Sequence, residues 1–113
     1  MENRKEIQIT EATKGVMVYA KSGNSMYGDW LLLIDYVNYE PAPICDLVIH
    51  THFSLCVSGC NYKSFMASER WGYVNTMKFT FYEVTEEEKN KIKAIFKENG
   101  YKFVKGVNKL FKR

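Results

Sequence analysis

Apolar and polar positions alternate along much of the chain before residue 85, and that pattern predicts strands joined by turns. Glu6-Ile7-Gln8-Ile9-Thr10 alternates with period two and reads as a half-buried strand. Gly15-Val16-Met17-Val18-Tyr19-Ala20 reads as a second. Lys21 to Asp29 is rich in turn formers, with Gly23 and Gly28 inside it. Trp30 to Tyr39 starts as a continuous apolar run and ends alternating, the pattern of a central strand that emerges toward an edge. Pro41 and Pro43 end it, because proline lacks a ladder donor and restricts the residue before it.

Cys45 to Val57 is a long alternating segment. Strict alternation puts Cys45, Leu47, Ile49, Thr51, Phe53, Leu55 and Val57 on one face, and Asp46, Val48, His50, His52, Ser54 and Cys56 on the other. Residues 61–71 fit either a short strand through Ser64-Phe65-Met66 or a helical turn. Met77, Phe79 and Phe81 alternate with polar neighbours and give another strand.

The periodicity changes after that strand. Thr85-Glu86-Glu87-Glu88 has the form of a capping box, with the Thr85 hydroxyl accepting from the residue 88 N–H and Glu88 reaching back to Thr85. Ile92, Ile95 and Phe96 share a helical stripe, and Asn99-Gly100 supplies a stop, so a helix is expected over about 85–99. Tyr101 to Val104 and Lys109 to Phe111 then suit a terminal hairpin around Gly106 and Asn108. The expected fold is α+β: a curved antiparallel sheet or small open β-barrel, one helix and a terminal hairpin, all in a single domain spanning 1–113.

Composition agrees with a folded, β-rich unit. The 113 residues are 46% hydrophobic and 15% aromatic, which argues against disorder. No apolar run approaches the roughly 18–20 residues of a membrane-spanning helix, and no signal-peptide pattern follows Met1. Three cysteines without framework spacing read as reduced thiols, hence a cytoplasmic setting.

The net charge of +3 hides a bipolar distribution. From Lys89 onward nine Lys/Arg face one acid, Glu98, while the preceding residues carry an acidic excess. A basic end of this kind suits a nucleotide, a nucleic acid or an acidic protein, and equally a solvated lysine-rich face. Among these nine only Arg113 is arginine, so bidentate phosphate recognition is not indicated. Lys102, Lys105, Lys109 and Arg113 are the candidate anion contacts, with Tyr62 and Trp71 as stacking partners.

His50 and His52 are the only histidines. On a strand, His-x-His aims two imidazoles the same way, as a metal site requires. Cys56 would lie about 13 Å from His52 at ~3.3 Å per residue, so a third ligand would be Cys60, folded back by the Ser58-Gly59 bend. Plain surface histidines explain the same pattern. Cys45 falls on the apolar face, and no glycine-rich phosphate loop precedes a helix.

Two resemblances bear on function. His50-Thr51-His52 followed by Ser58-Gly59-Cys60-Asn61 resembles the His-x-His … Ser-x-x-Asp signature of JAMM-type zinc isopeptidases, which implies zinc ligation by His50 and His52. The chain departs from it with Asn61 in place of the ligand Asp and Phe53 in place of Pro, and no upstream strand offers a clear catalytic Glu. The C-terminal third, through Trp71-Gly72-Tyr73, Val84 to Lys89, Asn99 to Phe103 and Lys109-Leu110, is similar to the ends of small uncharacterised phage and mobile-element proteins of gut bacteria. That resemblance implies a cytoplasmic accessory protein without catalytic residues or cofactor. The reading is a non-catalytic protein that binds a nucleotide, a nucleic acid or a host protein, away from membranes and with self-association open. The alternative is a metal-dependent hydrolase using His50, His52 and Cys60.

Overall fold

The computed structural model describes residues 4–23, 27–58, 65–98, 101–104 and 109–112. Strands β1 (Met17–Ser22), β2 (Asp29–Glu40), β3 (Asp46–Ser58), β4 (Phe65–Tyr73) and β5 (Phe79–Glu83) form one antiparallel sheet in the order β4-β3-β2-β1-β5. Helix α1 (Glu86–Glu98) follows, and β6 (Tyr101–Val104) pairs with β7 (Lys109–Lys112) in a separate two-stranded ladder.

The turn between the two edge strands shows that the sheet curls. β4 and β5 are opposite edges, and a flat five-stranded sheet would hold its edges about 19 Å apart at ~4.8 Å per strand. Residues 74–78 connect them through a turn, with Lys78 N–H donating to the Asn75 carbonyl at 3.2 Å. Trp71 of β4 packs on Phe79 of β5, their ring centroids 4.6 Å apart. The edges thus meet through side chains while no ladder joins them, so the sheet is curved and open, not a closed barrel.

Each face has its own core. The concave cluster gathers Val18, Ala20, Trp30, Leu32, Ile34, Val37, Ile49, Phe79 and Phe81 with Trp71 against them. The convex cluster is Leu31, Leu33, Phe53 and Leu55 beneath Ile92 of α1. Trp30 through Ile34 are therefore buried without interruption, since β2 is covered on both sides.

The long third strand departs from strict alternation. Leu33 pairs with Phe53 and Ile34 with Thr51, which skips His52; Tyr36 then pairs with His50, which skips Asp35. These facing β-bulges change the sequence parity of both strands together. Leu47 and Ile49 consequently face the concave cluster, whereas Phe53, Leu55 and Val57 face the helix, so the seven odd positions do not share one face. Cys45 lies outside the strand with φ 53°, exposed.

Two other segments differ from expectation. Glu6 to Thr10 forms no full strand: a bridge from Glu6 to Tyr82 and bonds between Ile7 N–H and Phe81 O and between Glu83 N–H and Lys5 O strap it along the β5 edge, while Ile7 and Ile9 pack on the concave side. Within 61–71, residues from Phe65 onward are strand, and Met77 belongs to the turn rather than to β5.

The capping box forms with both bonds: Thr85 N–H donates to Glu88 Oε1 at 3.0 Å and Glu88 N–H to Thr85 Oγ1 at 3.2 Å. Thr85→Ala is expected to cost about 1 kcal/mol in urea unfolding, with Thr85→Ser close to wild type. Equal stability of all three proteins would show that this cap contributes nothing.

Candidate binding site

The matched bulges organise the part of the convex face next to the helix-covered cluster. Asp35 and His52, the two residues that the ladder skips, meet each other, with His52 Nε2 3.1 Å from Asp35 Oδ1. Beside them the register aligns Tyr36 of β2, His50 of β3 and Arg70 of β4 in one row across three strands. Tyr36 and His50 stack face to face, centroids 4.2 Å apart and planes within 8°. His50 Nε2 lies 2.6 Å from Asn38 Oδ1, which fixes the imidazole. The Arg70 guanidinium donates to both Glu40 carboxylate oxygens at 2.7 Å and lies 5.0 Å from the Tyr73 ring centroid.

Both histidines therefore already have side-chain partners. Among the described residues, no group of three or more His, Cys, Asp or Glu is placed to hold a metal ion. Cys60 and Asn61 lie outside the described residues. Cys56 is disulfide-bonded, which corrects the reading of three reduced thiols and removes the ground on which a reducing compartment was expected. Among the described residues, no helix is long and apolar enough to cross a membrane.

A second feature lies under the first turn of α1. A cleft of about 410 Å³ is lined by Arg4, Tyr19, Leu31, Val57, Glu88 and Lys91, among others. Arg4 donates to both Glu88 oxygens at 2.7 Å and sits 4.8 Å over the Tyr19 ring. Burial would raise the Glu88 pKa, but the bonds from Arg4 and Thr85 outweigh it and hold the carboxyl below its ordinary range. The Tyr19 hydroxyl donates to Asp29 Oδ2 at 2.8 Å, and its pKa is pushed up to about 12, first by burial and then by that bond. Arg4 and Glu88 satisfy each other here and tie the N-terminal segment to the start of α1, as a fold-stabilising latch does.

The third feature is a row of lysines on α1. Lys89, Lys93 and Lys97 recur every four residues, so they share a stripe with about 6 Å of rise between neighbours. Lys93 and Lys97 are exposed, and no described carboxylate pairs with either. Only Lys89 has one, Glu86 at 3.5 Å. Like charges at this spacing oppose helix formation by roughly 0.2–0.5 kcal/mol per pair. The i, i+4 recurrence was visible in the sequence, although the expectation there centred on residues beyond the helix.

The residues singled out from sequence fall in several places. Trp71 is half-buried in the concave cluster, edge-on to Trp30 at 6.2 Å and against Phe79. Lys102 on β6 stands opposite Phe111, and Lys109 on β7 opposite Val104. Tyr62, Lys105 and Arg113 lie outside the described residues. No protein-family model, curated protein or solved structure matches the chain.

Proposed function

We propose that the chain is a non-catalytic binding protein for anionic ligands, nucleic acid first and free nucleotides second, engaged by its basic C-terminal portion. The observation that carries this reading is the row Lys89, Lys93 and Lys97. Three cations at like-charge spacing cost the helix stability, and a bound polyanion turns that repulsion into attraction. The excess of nine basic residues over one acid from Lys89 onward extends the same field, with Lys102, Lys105, Lys109 and Arg113 as further contacts. An accessory role in a phage or mobile element belongs to this reading through the resemblance of the C-terminal third. A host-protein partner is the second reading, favoured by Tyr39 and Ile44, which are exposed near the β2–β3 connection.

Fluorescence anisotropy with labelled single-stranded DNA, RNA and nucleotides across a salt series tests the proposal. Binding should weaken linearly in log–log form as salt rises. Replacing Lys89, Lys93 and Lys97 together by Gln should make the slope shallower by about 2, at ~0.7 per single-strand phosphate contact. Absence of binding at low salt, or a slope that the triple replacement leaves unchanged, would rule the row out as the contact.

A further inference from the structure

Tyr36, His50 and Arg70 bring three planar groups to one level of the sheet, on adjacent strands. Val37 and Ile49 face the concave cluster, so their neighbours Tyr36 and His50 face the side on which α1 lies. His50 is the inner member of the stack, held by Asn38, and Tyr36 is the outer one, 47% exposed. A phenol ring backed by a fixed imidazole and open to solvent is a surface on which another flat ring can continue the stack.

Among the described residues the cation nearest this platform in the register, Arg70, is bonded to Glu40, and Asp35 lies against His52. Tyr36 therefore sits on a surface that offers a ring face with little net pull on a phosphate, while the Lys89, Lys93 and Lys97 row supplies that pull from the same side of the sheet. A duplex keeps its base faces stacked on each other, whereas a single strand can present them. We infer that the ligand is single-stranded nucleic acid, with a base stacked on Tyr36 while the helix lysines hold the phosphates. The inference rests on the anionic-ligand reading and narrows it to one class.

Binding of a labelled single strand, the matching duplex and an abasic strand of equal length separates the two contributions. Tyr36→Ala should weaken the base-bearing single strand about 5- to 150-fold, the range of one base–aromatic stack, and leave the abasic strand unchanged. Tyr36→Phe should keep wild-type affinity, and far-UV circular dichroism of both variants should match the wild type because the side chain belongs to neither core cluster. Duplex bound as tightly as single strand overturns the inference, as does an equal effect of Tyr36→Ala on base-bearing and abasic strands. If the lysine replacement weakens every strand and Tyr36→Ala weakens none, stacking fails and the anionic-ligand reading stands. If no strand binds at low salt, both fail, and Tyr36 is left as a contact for a protein partner.

Discussion

Phe53→Ala is expected to destabilise the protein by about 3–5 kcal/mol. Phe53 has no exposed surface and packs with Leu31, Leu33, Leu55 and Ile92. Truncation removes the transfer energy of the ring and leaves a cavity between two rigid elements, a sheet and a helix, which cannot both collapse into it. Against a total stability of order 5–15 kcal/mol for a domain of this kind, the loss is a large fraction of what holds the fold. Phe53→Leu, which fills most of the volume, should cost much less. Urea unfolding of the three proteins measures this directly. A loss below about 1 kcal/mol for the alanine variant would mean that α1 does not seal this cluster.

Phe53 also marks where the sequence was legible and where it was not. Alternation exposes strands because side chains point to opposite faces, and the segments around β1, β2, β3 and β5 stand out for that reason. A bulge, by contrast, adds one residue without any local chemical signature. Asp35 and His52 look like ordinary polar positions of an alternating pattern, yet each breaks the parity of its strand, and Phe53 moves to the helix side while Ile49 stays on the concave side. β4 was obscured for a different reason: Phe65 to Tyr73 mixes small, charged and aromatic residues without a regular period. The N-terminal strap has the strand pattern but bonds β5 only through Lys5 and Ile7 and a bridge at Glu6. The helix was legible because the residue types of a capping box specify its geometry locally.

The candidate site was less readable than the fold. The lysine stripe on α1 follows from the helical period and was available in the sequence. The row of Tyr36, His50 and Arg70 depends on the register of three strands and on both bulges, which no local pattern encodes. Trp71 shows the reverse: a tryptophan near a turn invites a ligand-stacking role, but the curl of the sheet packs its ring against Phe79. Which aromatics remain outside is decided by how far the sheet curls.

That curl is held by Asp46, and Asp46→Ala should cost about 3–4 kcal/mol. The residue is 2% exposed at the start of β3. Its carboxylate accepts from the backbone N–H of Asn75 at 3.1 Å and of Thr76 at 2.7 Å, and from Asn75 Nδ2 at 3.0 Å. Those donors lie in the turn that joins the two edge strands, so one side chain ties the β4–β5 closure to the beginning of β3, beside the bond from Val74 N–H to Leu47 O at 3.0 Å. Hydrogen bonds to an ionised group are worth about 1.5–3 kcal/mol each, and alanine leaves the donors without it. Burial on its own would raise the Asp46 pKa, but the bonds from Thr76, Asn75 and Leu47 prevail and hold it below the ordinary value. The sign of the pH dependence follows. A carboxyl with a lowered folded-state pKa contributes its full stabilisation above the unfolded pKa of about 3.9, and loses it as pH falls through the folded value. The stability gap between wild type and Asp46→Asn should therefore be widest near neutral pH and narrow on acidification below about pH 4. Urea midpoints measured from neutral to acidic pH test both parts. A gap that stays constant with pH, or an alanine variant within 1 kcal/mol of wild type, would show that the Asp46 carboxylate does not close the curl.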